Sequence, residues 1–295
     1  MRVRAFAKIN LSLRVLGTRP DGYHELRTIF QSIALHDTLT IRAQRGPFHL
    51  TCDDPHCPSD SANLVWRAAE RMWAAAGRNG APRDIAIDLA KRIPLQAGLG
   101  GGSSDAAAAL RALGRRWRVD DLEVRRTAAE LGADIPFFFE GGTVLGLERG
   151  DLLFPLIDRA PSWVVLALPR FGVSTKEAFG WWDKERSGGS RRSDGPGRSG
   201  QSGSLVGHDG RGFELVNDLE VHVAAHHPQI RRVVRALERA GASHAAMSGS
   251  GSAVYGLFPR RGDAERAAAV VASSSCRTVV TTTLKRSRYH VLAAT

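Results

Sequence analysis

The sequence predicts an α+β fold, and three observations predict it. Every odd position from Val3 to Val15 is apolar and most even ones are polar, the period of a half-buried strand or a bent strand pair. Ile230, Val233, Val234 and Leu237 recur at i, i+3, i+4 and i+7, the stripe of an amphipathic helix. Between these two signals, Pro94 to Asp105 forms a glycine loop that runs straight into the alanine helix of Ala106 to Leu110.

The elements follow in chain order. The first strand puts Lys8, Asn10 and Ser12 on one face. A helix is predicted from Leu64 to Ala76, ended by Gly77, and a strand from Ile85 to Leu89. The alanine helix is predicted from Asp105 to Leu113, ended by Gly114. Strands follow at Trp163 to Leu168, Ala253 to Phe258 and Arg277 to Leu284, with the amphipathic helix before the second of them closed by Gly241. No internal repeat of fixed period occurs. A boundary near Asp158 divides the chain into an N-terminal region, residues 1–158, and a C-terminal region, residues 159–295. Arg186 to Gly212 breaks the globular pattern with nine glycines and six serines in 27 residues, and is expected to be a mobile basic insertion. Trp181 and Trp182, just before it, are expected to pack in the core or at an interface.

Composition narrows the function classes. With 43% hydrophobic and 24% charged residues over 295, and a mean hydropathy of −0.20, the chain reads as a soluble globular protein. No run approaches the roughly 20 apolar residues of a membrane span. Lys8, Asn10 and Arg14 interrupt what a secretory signal would need as an apolar core. Three cysteines argue for a reducing cytoplasm rather than a disulfide framework. Cys52 and Cys57, with His49 and His56, make half of a metal site that no second pair completes, so a surface loop without metal is expected. The net charge of +11 favours anionic partners. No aromatic platform or zinc-finger spacing accompanies it, so nucleic acid is not expected.

The glycine loop is the strongest chemical signal. Pro94, Leu95, Gln96, Ala97, Gly98, Leu99, Gly100, Gly101, Gly102, Ser103 and Ser104 can fold closely around a phosphate, and the free amides of the following helix turn point at the anion. No Lys-Ser/Thr follows the glycines, and no register completes GxGxxG, so the loop is neither a Walker A nor a dinucleotide fingerprint. Four further segments accompany it. They are Ala7 to Leu11 around Lys8 and Asn10, Asp21 to Leu26 around Tyr23 and His24, Gly132 to Phe138 around Asp134, and the small-residue turn Met247 to Ser252. A single carboxylate in apolar surroundings, as at Asp134, is unlike a solubilising charge.

In this order, these segments resemble the GHMP kinase superfamily. Lys8 with Tyr23-His24, and Asn217-Asp218-Leu219-Glu220, narrow the resemblance to the branch that phosphorylates a cytidine diphosphate-linked methylerythritol in the non-mevalonate isoprenoid pathway. It spans nearly the whole chain except Arg186 to Gly212. Gln96 stands where small residues are common, and its side chain is expected to point away from the phosphates. The resemblance implies a two-domain fold, with an N-terminal α/β domain like ribosomal protein S5 and a C-terminal ferredoxin-like α+β domain. It implies ATP as donor, with Mg2+ held largely by the phosphates, and a tertiary alcohol, the 2-hydroxyl of the sugar alcohol, as acceptor. Asp134 would be the general base and Lys8 the charge stabiliser. His24 would read the cytosine edge, Tyr23 and Phe179 would pack the ring, and Asn10 and Thr175 would lie nearby. Asn63 and Lys91 would lie near the donor base. The implied partner is a small molecule, and the implied protein is a cytoplasmic monomer or weak homodimer. Two alternatives remain at this point, a homoserine- or mevalonate-type kinase of the same superfamily and a non-enzymatic RNA-binding module. Asp134 beside a phosphate loop argues against the second.

Overall fold

The computed structural model describes residues 1–188 and 215–294. In chain order the strands are β1 (Arg2–Thr18), β2 (His24–Arg42), β3 (His49–Cys52), β4 (Ala86–Ala90), β5 (Thr143–Glu148), β6 (Leu152–Pro155), β7 (Trp163–Pro169), β8 (His244–Met247), β9 (Val254–Phe258) and β10 (Cys276–Thr282). The helices are α1 (Leu64–Ala75), α2 (Gly101–Trp117), α3 (Asp121–Leu131), α4 (Phe137–Glu140), α5 (Thr175–Gly188), α6 (Glu220–His226), α7 (Gln229–Arg239), α8 (Arg261–Val271) and α9 (Arg286–Ala293). Two sheets organise them. One has six strands in the order β3-β4-β2-β5-β6, with β1 paired to β2, and the other has the order β10-β7-β9-β8.

β1 was expected to be half-buried, but both of its faces are covered. Every residue from Ala5 to Leu13 is buried, Lys8, Asn10 and Ser12 included. The reason is that β1 lies at the junction of the two sheets. Ala7, Ile9 and Leu11 share one apolar cluster with Leu166, Ala253 and Tyr255 of the second sheet. Alternation in β1 therefore separates an apolar seam from a buried polar face, rather than core from solvent. Backbone bonds reinforce the seam, with the Leu13 amide donating to Val216 O at 2.7 Å and the Tyr255 hydroxyl to Asn10 O at 3.0 Å.

The other face of the first sheet carries α1, α2 and α3, whose apolar sides meet Leu39, Ile87 and Leu89 in one core. Asn63 caps α1 by accepting from the Val65 amide. The alanine helix is longer than expected at both ends. It starts at Gly101 because Gly100 adopts a left-handed conformation, and it runs through Gly114 to Trp117. Gly114 is a packing residue rather than a stop, since a Cβ there would lie 2.7 Å from Val124 Cγ2 on α3. In the second half, the predicted stripe Ile230, Val233, Val234 and Leu237 faces the four-stranded sheet in a core that also holds Trp182. Trp181 is half-buried and stacks on His226. α9 returns to the first half, where the Tyr289 hydroxyl donates to Phe138 O at 2.6 Å. The expected insertion begins inside α5, which extends to Gly188, and from 189 on it lies outside the described residues. No helix among the described residues is long and apolar enough to cross a membrane.

Candidate active site

Lys8 sits where β1 crosses the glycine loop. Its Nζ donates to Asn10 Oδ1 at 2.5 Å and lies 3.6 Å from Asp134 Oδ2. Phe30 presents its ring 5.5 Å away. Lys8 is only 4% exposed, and burial pulls its pKa below the ordinary lysine value, with Asp134 acting in the opposite direction. Asp134 itself is accessible, its side chain 37% exposed. The turn that carries it is held from behind by Phe137, Phe138 and Phe139, all buried. An accessible carboxylate beside a buried ammonium can accept a proton and become neutral, leaving the ammonium to offset negative charge on a bound group.

The glycine loop packs against Lys8. The Lys8 amide donates to Leu99 O at 3.0 Å, and a Cβ on Gly100 would meet Phe138 at 2.8 Å and Lys8 Cγ at 3.1 Å. Gly98 is enclosed more tightly, since its Cβ would lie 2.0 Å from Ser248 O, at a φ of +71° that itself favours glycine. α2 then starts at Gly101, leaving the amides of Gly101, Gly102 and Ser103 without intrahelical acceptors, while the Ser104 amide reaches Gly100 O. Three such donors at a helix start are suited to an anion. Gln96 is exposed with its side chain along Gly172, away from these amides.

The turn Ser248 to Ser252 closes the site from the second sheet. Ser248 Oγ donates to Gly98 O at 2.9 Å, and a Cβ on Gly249 would lie 3.0 Å from Asn10 Oδ1 and 3.2 Å from Lys8 Nζ. Asn217 holds this turn by donating to Met247 O and Gly249 O, both at 2.8 Å. Asn10 in turn donates to Thr28 Oγ1 at 2.7 Å, so its amide is oriented with the oxygen toward Lys8.

His24 pairs with Thr18 at the start of β2, eight residues before Ser32, the partner of Lys8, while Thr175 and Phe179 stand on α5. His24 stacks on Phe179, with ring centroids 4.4 Å apart, and its Nε2 lies 2.9 Å from Asp183 Oδ1. Tyr23 is 56% exposed, with the Arg149 guanidinium 5.2 Å over its ring. Thr175 Oγ1 is 3.4 Å from Ser250 Oγ, which ties the start of α5 to the turn beside Lys8. Asp183 and Arg149 are contacts that sequence reasoning missed, because neither lies in a motif and each reaches its aromatic partner only through the fold.

Three residues expected on the donor side have other commitments. Asn63 uses its amide to cap α1 and to donate to Pro58 O at 2.6 Å. Ser104 Oγ donates to Phe6 O at 2.7 Å, which fastens α2 to β1 instead of facing a ligand. The Lys91 ammonium, expected near the donor base, is instead buried between Asp37 and Asp105. Pro94, Leu95 and Ala97 shape the loop through backbone position, as where Ala97 O accepts from the Ala253 amide. Cys52 and Cys57 are free and half-buried near the end of β3. A separate cavity of about 510 Å³ lies behind α2, lined by Arg111, Arg115, Tyr289 and His290, and contains neither Lys8 nor Asp134.

Comparison with known proteins adds a family. The family model for the GHMP kinases N terminal domain matches residues 63–142, and that for the GHMP kinases C terminal region matches residues 206–277. A 4-diphosphocytidyl-2-C-methyl-D-erythritol kinase from Solibacter usitatus is 42% identical, with 98% of this chain and 90% of that protein covered. One from Moorella thermoacetica is 39% identical, covering 95% of this chain and 98% of that protein. A solved 4-(cytidine 5'-diphospho)-2C-methyl-D-erythritol kinase superposes with a TM-score of 0.74 at 31% identity, over 96% of this chain and 99% of that one. A homoserine kinase from Cytophaga hutchinsonii, at 17% identity and a TM-score of 0.65, shares the fold over 98% of this chain and 96% of that one.

Proposed function

Because the chain belongs to the GHMP kinases and, within them, to the 4-diphosphocytidyl-2-C-methyl-D-erythritol kinase family, we infer that it transfers the γ-phosphoryl group of ATP to the 2-hydroxyl of 4-diphosphocytidyl-2-C-methyl-D-erythritol. The reaction is a step of isoprenoid precursor biosynthesis by the non-mevalonate route. The observation that carries the chemistry is the 3.6 Å Lys8–Asp134 pair beside the open N-terminus of α2.

A tertiary alcohol is a crowded and weak nucleophile. Asp134 accepts its proton as the new P–O bond forms and the bond from the γ-phosphorus to the bridging oxygen breaks, releasing ADP. Lys8 offsets charge on the transferred group, while Asn10 holds the ammonium in place. The amides of Gly101, Gly102 and Ser103 hold the phosphates. Mg2+ would supply charge neutralisation to the phosphates and, being a hard cation that seldom takes an all-protein cage, would need few ligands from this chain. On the acceptor side, Tyr23 and Phe179 pack the cytosine. His24, steadied by Phe179 and by Asp183 on Nε2, keeps Nδ1 for the base edge. Thr175 sits between this pocket and the turn beside Lys8. We place the protein in the cytoplasm, as a monomer or weak homodimer.

The test is a substrate panel with ATP, in which the cytidine diphosphate compound competes with free methylerythritol phosphate, homoserine and mevalonate. Preference for the first is expected. Preference for any other overturns the assignment.

A further inference from the structure

Beneath the glycine loop lies a charge cluster that the phosphoryl-transfer chemistry does not use. Lys91 Nζ bridges Asp37 Oδ2 at 2.5 Å and Asp105 Oδ2 at 2.7 Å, and all three side chains are 3% exposed or less. Two carboxylates thus share one ammonium out of reach of water. Their remaining partners are unequal. Asp37 Oδ1 accepts from the Arg92 and Ile93 amides at 2.5 and 2.8 Å, so its anion is fully bonded. Asp105 Oδ1 is buried with no hydrogen-bond partner. An unpartnered anionic oxygen is the most costly species to keep in such a place, and a proton on it removes the charge.

Resting on the reading of this loop as the donor nucleotide site, we propose that Asp105 is a positioning residue that holds a proton while nucleotide is bound, so that nucleotide affinity is linked to proton uptake. The geometry supplies the coupling. Asp105 lies one turn beyond Gly101 on α2, and a Cβ on Gly101 would come within 2.9 Å of Ile93 Cγ2 and 3.3 Å of Lys91 Nζ. The cluster therefore supports the turn whose amides face the phosphates. Burial and Asp37 push the Asp105 carboxyl up to about 8, with Lys91 opposing. Of the groups around it, Asp53 accepts from the Lys91 amide. Cys57, beside Cys52, is pushed up to about 12 and stays protonated. In free protein the positive end of α2 favours the Asp105 anion. Bound phosphates cancel that field and add negative charge, which favours the protonated form. Nucleotide binding then takes up a proton, and affinity falls as pH rises through the Asp105 transition.

Calorimetric titration of MgADP into the full chain, in two buffers of different ionisation enthalpy, reads the uptake directly. Wild type is expected to take up a fraction of a proton near pH 8, and its affinity to weaken about tenfold between pH 7.5 and 9.5. Asp105→Asn should show neither effect. Lys8→Met, which removes a second buried group able to take up a proton, should keep the uptake. Should Asp105→Asn fail to fold, persistence of the uptake in Lys8→Met supports the proposal and its loss there overturns it. No uptake in wild type, or equal uptake in Asp105→Asn, also overturns it. A wild type that bound no MgADP at all would sink the donor-site reading as well, whereas binding without uptake would sink only this one.

Discussion

At the scale of single residues, the proposed catalysis rests on one carboxylate and the desolvated ammonium beside it. Replacing Asp134 by Asn keeps the shape and removes both the proton acceptor and the charge that holds up the Lys8 pKa. Turnover is expected to fall by about a hundredfold or more, the range for a positioned base. ATP affinity, measured by calorimetry, should change little, because in the proposed function the loop amides and not Asp134 hold the phosphates. A kcat within a few fold of wild type would exclude Asp134 as the base. His24 supports a separable expectation. His24→Ala should raise KM for the cytidine diphosphate substrate and leave KM for ATP nearly unchanged, a loss of about 1–3 kcal/mol for a base edge left unsatisfied. Because Asp183 and Phe179 orient the ring, discrimination against a uridine analogue should drop along with binding. Equal discrimination in both proteins would move base recognition to the backbone near Tyr23.

At the scale of elements, the glycine loop and α2 act as one unit, because side chains at Gly98, Gly100 and Gly101 would collide with their surroundings. A Cβ on Gly98 would collide with backbone, and one on Gly101 with Ile93 and Lys91. Gly101→Val is therefore expected to displace the first turn of α2 and weaken nucleotide binding, at an overpacking cost of about 1–3 kcal/mol. Calorimetry should register the loss, with a circular dichroism melt confirming that the variant is folded. Unchanged affinity in a folded variant would remove the loop from the site. The same helix shows how far pattern reading reaches. Alanine and glycine marked a helix and a loop, but Gly114 read as a stop and proved to be the contact where α3 approaches. A glycine that ends a helix and one that admits a neighbour look identical until the neighbour is placed.

At the scale of the whole molecule, the two sheets are joined through β1, Asn217 and the turn beside Lys8, so stability and site geometry are linked. His244, on β8, lies within 3.1 Å of the Tyr255 hydroxyl, and that hydroxyl also bonds Asn10 O across the seam. Burial lowers the His244 pKa from 6.5 to about 4. Between those values the unfolded chain binds a proton that the folded protein resists, so stability is full above pH 6.5 and declines as the pH falls toward 4. Urea unfolding at pH 7.5, 5.5 and 4.5 should show a decline that His244→Gln reduces by roughly 1–3 kcal/mol. An identical decline in the variant would assign the acid sensitivity to other groups.

The sequence by itself determined the α+β class, the family, and several of the segments that the fold packs around Lys8. Those signals are local: a two-residue period, a helical stripe, a glycine run, and short polar motifs whose chemistry is legible without coordinates. Only the tertiary structure decided which polar groups face the cleft and which neutralise one another inside it. Lys8 and Lys91 are both lysines close to a functional motif, yet one stands behind an open carboxylate and the other is locked between Asp37 and Asp105, which lie 54 and 14 residues away along the chain. The burial of β1 on both faces, the commitment of Asn63 to a helix cap and the hold of Asp183 on His24 were illegible for the same reason. Each depends on the distance between segments remote in sequence, and desolvation and ion pairing are set by that distance rather than by the order of residues.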